Sequence, residues 1–171
     1  MAHTLESFAR KCHDLLKADP GPAGRDKVVE ELEEALEDES FIAGTVGPNF
    51  SAGREVLYKD DELGFCILAH VRKASNASPP HDHGPTWAIY GQASGSTEMT
   101  DWRMLKAPAE GKPGEVEFAD SYSVKPGMAK LYNEGNLHSP EWKAEARLIR
   151  LEGKNVETIK RNRYVVAEKA A

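Results

Sequence analysis

The chain has 171 residues, 40% hydrophobic, 29% charged and 8% aromatic, the profile of one ordinary globular domain with a real core. Lys and Arg number 22 against 28 Asp and Glu, a formal charge of −6, so the basic footprint of a general nucleic-acid binder is missing. No apolar run approaches the roughly 20 residues of a membrane helix, and MAHTLESFARK lacks the apolar stretch and cleavage site of a secretory signal; the expectation is a soluble cytoplasmic protein that engages neither nucleic acid nor membrane.

Leu5, Phe8, Ala9, Cys12, Leu15 and Leu16 fall at helical spacing, and Thr4 is placed to cap the first turn, so the spacing predicts an amphipathic helix from Thr4 to about Lys17. Proline and glycine in Asp19 to Gly24 break it. A second helix is expected near Arg25 to Asp38, with Val28, Val29, Leu32, Ala35 and Leu36 inward and a solvated acidic face of Glu30, Glu31, Glu33, Glu34 and Glu37. These helices form an N-terminal annex over residues 1–45. Beyond Gly47-Pro48 the pattern turns to short β runs separated by turn signals: Arg54 to Lys59, Phe65 to Val71, Trp87 to Ala93, Glu98 to Leu105, Val116 to Val124, Met128 to Tyr132, Ala146 to Leu151 and Thr158 to Val166. Residues 46–171 therefore read as a β-sandwich or barrel within a single compact domain. Cys12 and Cys66 sit on apolar faces of different elements, so neither a disulfide framework nor a cysteine zinc site is expected, and any metal falls to His and carboxylates.

Two of the six histidines form Pro80-His81-Asp82-His83-Gly84. In an extended segment residues two apart share a face, so His81 and His83 can reach one ion while Asp82 points away. Alone, such a pair reads equally well as surface polar residues beside a turn. The surrounding sequence resembles the first motif of the cupin superfamily, which carries a glutamate after the second histidine and then a glycine: Gly95 keeps the glycine, while Ala88, or Trp87 in the other register, stands at the glutamate. Gly127 and Gly135-Asn136-Leu137-His138 resemble the second motif, with Asn133 where proline is usual and Trp142 where asparagine is usual. The match runs from Ser75 to Trp142. It implies a mainly β cupin fold, a double-stranded β-helix barrel behind two N-terminal α-helices, in which His81, His83 and His138 hold one ion without a carboxylate. Fe(II) is the first expectation, with Ni, Mn, Co or Zn as alternatives.

Loss of the glutamate resembles the thiol dioxygenases, such as cysteine dioxygenase, within that superfamily. So do the helices before the barrel and Ser96-Thr97-Glu98-Met99-Thr100-Asp101-Trp102. The resemblance places Arg54 near the arginine that holds the substrate carboxylate, a role its planar fork suits; the plainer reading is a surface strand residue beside Glu55. The family's Ser-x-His-x-Tyr track has no counterpart here, with Arg147, Ile149 and Leu151 expected in its place, and Ala88 replaces the cysteine that follows the second ligand in the mammalian-type enzymes. Cysteine itself is therefore a doubtful substrate. Tyr90, Tyr122 and Tyr132 are candidate catalytic residues whose hydroxyls could donate at the centre. Trp87, Trp102 and Trp142 are expected as barrel packing or site walls, His70 as a core histidine, Glu98 as structural, and His3 and His13 as unrelated to the metal.

Two functions remain open. One is an Fe(II) dioxygenase using O2 on a small anionic substrate, thiols included. The other is a metal-binding cupin without oxygenase chemistry, a small-molecule binder, isomerase or lyase, since one barrel hosts many activities. A homodimer through barrel edges is a further expectation.

Overall fold

The computed structural model describes residues 3–168. Thr4 caps helix α1 (Leu5–Ala18) through a reciprocal box: its hydroxyl accepts from Ser7 N at 3.1 Å and the Ser7 hydroxyl accepts from Thr4 N at 2.9 Å. Helix α2 (Pro22–Leu36) starts earlier than expected because Pro22 occupies its first position, where the absent N–H costs nothing. A third helix, α3 (Glu39–Val46), was not expected from its short sequence, which holds Gly44 and the β-branched Ile42, Thr45 and Val46. Asp38 caps it, accepting from Ser40 N at 2.9 Å, and Arg147 from the barrel donates to the Val46 and Gly47 carbonyls at 2.8 and 2.6 Å.

The strands follow as β1 (Gly53–Lys59), β2 (Cys66–Arg72), β3 (Asn76–Ala77), β4 (Ala88–Ser94), β5 (Thr97–Lys106), β6 (Gly114–Val124), β7 (Ala129–Tyr132), β8 (Leu137–Trp142), β9 (Ala146–Glu152) and β10 (Tyr164–Val166). They build two five-stranded sheets, ordered β1-β2-β9-β4-β7 and β10-β6-β5-β8-β3, antiparallel except for β10 against β6. Two facing sheets whose neighbours are this distant in sequence make a jelly roll, the double-stranded β-helix expected for this region. Of the expected last strand, Thr158 ends a 3₁₀ turn at Val156–Thr158, the chain that follows has no regular structure, and only Tyr164–Val166 is a strand.

β8 was not expected, since His138, Pro140 and Glu141 are poor strand formers. Pro140 is tolerated because its carbonyl accepts from Ser78 N at 3.0 Å on the side of the short, broken edge formed by residues 76–81, so the missing N–H faces that edge.

The helices pack against the outer face of the first sheet. Phe8, Leu32 and Phe41 meet Ile67, Ile89, Ile149 and Leu151 there, away from the barrel interior. Gly91 permits this approach, because a Cβ on it would lie 2.5 Å from Leu32 Cδ2. Trp87 belongs to this outer core, under the Arg25 guanidinium at 5.4 Å, and so does not wall the barrel interior. Arg25 also grips the β7–β8 turn, bidentate to Glu134 at 2.7 and 2.9 Å and donating to Asn133 Oδ1 at 2.8 Å. The asparagine at the usual proline position thus has a structural use in holding the turn that leads to His138. Inside the barrel, Tyr90, Met99, Tyr132, Trp142 and Leu148 form a second core.

Candidate metal centre

His81 and His138 are brought together by backbone pairing. Each donates its N–H to the other's carbonyl at 3.0 Å, making them directly opposite residues of an antiparallel bridge whose side chains share a face. His83, two residues on, joins them, and Asp82 turns away as expected: its carboxylate accepts from Gly84 N at 3.0 Å and from the Tyr164 hydroxyl at 2.8 Å. Ring centroids lie 4.6 Å apart for His81 and His138, 4.8 Å for His83 and His138, and 5.8 Å for His81 and His83. One ring nitrogen from each lies within 4.8 Å of the others, and no carboxylate joins the group. Ala88, at the family glutamate position, is fully buried on β4.

The hydrogen bonds fix which nitrogens are free. His81 Nδ1 is 2.9 Å from Pro79 O and His138 Nδ1 is 3.1 Å from Asn136 O. A carbonyl only accepts, so each Nδ1 carries the proton and each Nε2 presents its lone pair inward. His138 Nε2 and His83 Nδ1 are buried without any partner, while His83 Nε2 lies 3.1 Å from the Tyr90 hydroxyl. Buried orphan nitrogens are costly unless something binds them. Burial pushes all three imidazoles below their ordinary pKa, with Arg150 and Arg161 adding to the effect, so they are neutral near pH 7 and available as ligands. This donor set fits a divalent transition metal with open positions. Among the described residues a second group, His3 with Glu31 and Glu34, lies on the helical surface, where His3 Nε2 faces Glu31 at 3.7 Å; exposed clusters of this kind are ordinary ion pairs.

The three candidate tyrosines lie around the histidines. Tyr90 contacts His83; Tyr132 stacks on His138 with centroids 3.9 Å apart and planes 21° from parallel. Tyr122 stands one step further out, its hydroxyl 2.7 Å from that of Tyr132 and donating to Asp101 at 3.0 Å. Burial raises all three phenol pKa values, so each remains a protonated donor. Trp142 lies inside the barrel against His70, Trp102 donates to the Ser139 hydroxyl at 2.8 Å, and Glu98 is held by Ser123 at 2.8 Å. His13 contacts Asp60 at 2.8 Å, remote from the group.

Arg54 is not brought to the histidines. Its guanidinium is engaged by Glu152 at 2.6 Å, Asn155 at 2.8 Å and Glu157 at 3.0 Å. The inward face of β9 also differs from expectation. Ile149 and Leu151 lie beneath the helices and Arg147 caps α3, whereas Leu148 packs in the barrel core and Arg150 lies over Tyr90 with its guanidinium carbon 4.5 Å from the ring. The residues in place of the Ser-x-His-x-Tyr track are therefore Leu148, Arg150 and Glu152, one position from those expected. A strand buried on both faces shows no polar alternation that would fix its register. The available signal was the Ile149–Leu151 pair, which matches the apolar stripes of α1 and α2.

A cavity of about 760 Å³ reaches His81, which contributes to its wall with Arg72, Arg150, Arg161, Arg163 and Tyr164.

No family model matches the sequence, and no curated protein matches it. Among solved structures the chain is similar to a cupin superfamily protein of Desulfitobacterium hafniense, at 9% identity over 60% of this chain and 76% of that one with a TM-score of 0.44. It is also similar to KdgF from a Halomonas species (12% identity, 62% and 82% covered, TM-score 0.46) and to the Schizosaccharomyces pombe Cnp3 cupin domain (14%, 65% and 73%, TM-score 0.47). The strand order itself decides the architecture. The barrel has the cupin fold. Within that cupin barrel the three histidines occupy the inner face of the residue 81–83 segment and of β8. No helix is long and apolar enough to cross a membrane among the described residues.

Proposed function

We propose that this cupin is a cytoplasmic, mononuclear Fe(II) dioxygenase that uses O2 to oxidise a small anionic thiol to its sulfinate. The observation that carries the reading is the donor set: three neutral imidazoles, two of them with buried, unpartnered nitrogens, and no carboxylate among them. His81, His83 and His138 would hold the metal. When bound, Fe(II) supplies a cationic centre with open positions for substrate and O2, and three neutral ligands leave its charge uncompensated, which favours an anionic substrate.

The chain's own residues prepare the site. Pro79 O and Asn136 O lock the tautomers of His81 and His138. The stacked Tyr132 ring fixes the His138 plane, and the Tyr90 hydroxyl stands at His83 as a hydrogen-bond donor to a bound reactant. Arg150 places positive charge above Tyr90 on the cavity side. The balance is simple: RSH and O2 give RSO2H, both oxygen atoms entering the product, with no external reductant.

A second reading has its own support. Leu148, Arg150 and Glu152 offer none of the hydroxyl and imidazole groups of the thiol dioxygenase track, which favours a metal-binding cupin with non-oxygenase chemistry. Anaerobic loading with Fe(II), metal analysis and oxygen-electrode traces with cysteine, cysteamine, 3-mercaptopropionate and mercaptosuccinate separate the two. Stoichiometric iron with thiol-dependent O2 uptake and a sulfinate product is the expected result. Full iron loading with no uptake for any thiol would overturn the dioxygenase and leave the second reading.

A further inference from the structure

The cavity beside His81 is lined by four arginines and by no acidic residue, in a chain whose formal charge is −6. Arg150 is 7% exposed and Arg72 half-buried, while Arg161 and Arg163 are exposed on the segment leading into β10. The segment is docked by the Tyr164 hydroxyl donating to Asp82. The inner pair, Arg72 and Arg150, is short of anions. Arg150 Nε lies 2.9 Å from Glu152, a carboxylate it shares with Arg54 at 2.6 Å, although Arg54 also has Glu157 at 3.0 Å. Arg150 Nη2 and Arg72 Nε are buried without any hydrogen-bond partner. Arg72 lies over Trp142 at 4.9 Å and makes no ion pair among the described residues, and burial together with Arg150 lowers its pKa from the ordinary value. Arg161 and Arg163 make no ion pair among the described residues either. Buried guanidinium N–H groups left without an acceptor are costly to keep, and a cavity lined by one sign of charge concentrates the opposite sign.

We propose that this cavity binds a small molecule with two anionic groups, one taken by the inner pair Arg72 and Arg150 and the other by the outer pair Arg161 and Arg163. A single carboxylate has about four lone-pair positions, which two forked guanidiniums fill. The outer pair, facing the same cavity, then calls for a second anion. This names the substrate class of the proposed dioxygenase and rests on that reading for its connection to the metal, but the binding itself needs neither metal turnover nor O2.

Calorimetric titration of the protein with succinate, inorganic phosphate and the monoanion propionate tests it. Succinate is expected to bind at least about ten-fold more tightly than propionate, one extra charge-assisted contact being worth roughly that factor, and to weaken as salt is raised. Inorganic phosphate carries its charge on a single group, so phosphate binding more tightly than succinate would overturn the two-group reading. The Arg161→Ala/Arg163→Ala double variant changes only exposed side chains and should lose the preference for the dianion; Arg150→Met should lose it as well if it folds. Equal affinity for propionate and succinate, no binding of either dianion at millimolar concentration, or a preference that survives in the double variant would each overturn the proposal. Oxygen uptake with equal use of 3-mercaptopropionate and mercaptosuccinate would overturn it while leaving the dioxygenase intact. A dianion preference without any oxygen uptake would do the reverse.

Discussion

His70 should make the fold acid-sensitive in a measurable way. It lies on β2, 4% exposed, edge-on to Trp142 at 6.0 Å, with Nδ1 unpartnered and the guanidiniums of Arg72, Arg150 and Arg54 raising the local potential. Burial first, then those arginines, push its pKa from 6.5 down to about 3. The unfolded chain takes up this proton below about pH 6.5, whereas folded His70 resists it until about pH 3. The unfolded state therefore binds more protons between these values, and stability falls as pH drops through the window. At pH 5 the unfolded chain lies about one and a half units below its pKa, and at about 1.4 kcal/mol per unit the loss is about 2 kcal/mol. Urea unfolding of chelator-treated wild type and His70→Gln at pH 7 and pH 5 isolates the effect, because the other histidines are common to both. The drop in stability from pH 7 to pH 5 should be about 2 kcal/mol smaller in the variant. Equal drops would refute the assignment of His70 as a neutral, buried imidazole among arginines.

Two further substitutions probe the scaffold and the site. Gly91→Ala puts a Cβ 2.5 Å from Leu32 Cδ2, so α2 must shift outward, and thermal unfolding should report a loss of about 1–3 kcal/mol. Tyr132→Phe keeps the ring on His138 but removes the hydroxyl bonded to Tyr122 at 2.7 Å; it should retain metal binding and cost about 1 kcal/mol in denaturant titration.

Much of the framework was legible in the chain because local chemistry and burial agreed there. Thr4 and the stripe from Leu5 to Leu16 give α1 as expected, and most strands fall within a few residues of their expected limits. What was not legible depends on tertiary partners. Helix α3 is held by Asp38 and by Arg147 from a distant strand, and β8 survives Pro140 only because its neighbour is a broken edge. The three histidines were accessible through motif spacing even though the strand carrying His138 was not. Arg54 and Arg150 show the opposite case. A guanidinium on a β strand gives no sequence signal of whether a carboxylate such as Glu152 will claim it, and the apolar Ile149 and Leu151 obscured which face of β9 turns inward.

The most direct test of the centre is its metal content. Protein loaded anaerobically with Fe(II) and freed of excess ion, analysed beside the His81→Ala/His83→Ala/His138→Ala variant, should carry about one ion per chain in the wild type and essentially none in the variant, both giving the same far-UV circular dichroism. A folded triple variant that kept its full complement of iron would show that these three histidines are not the metal site.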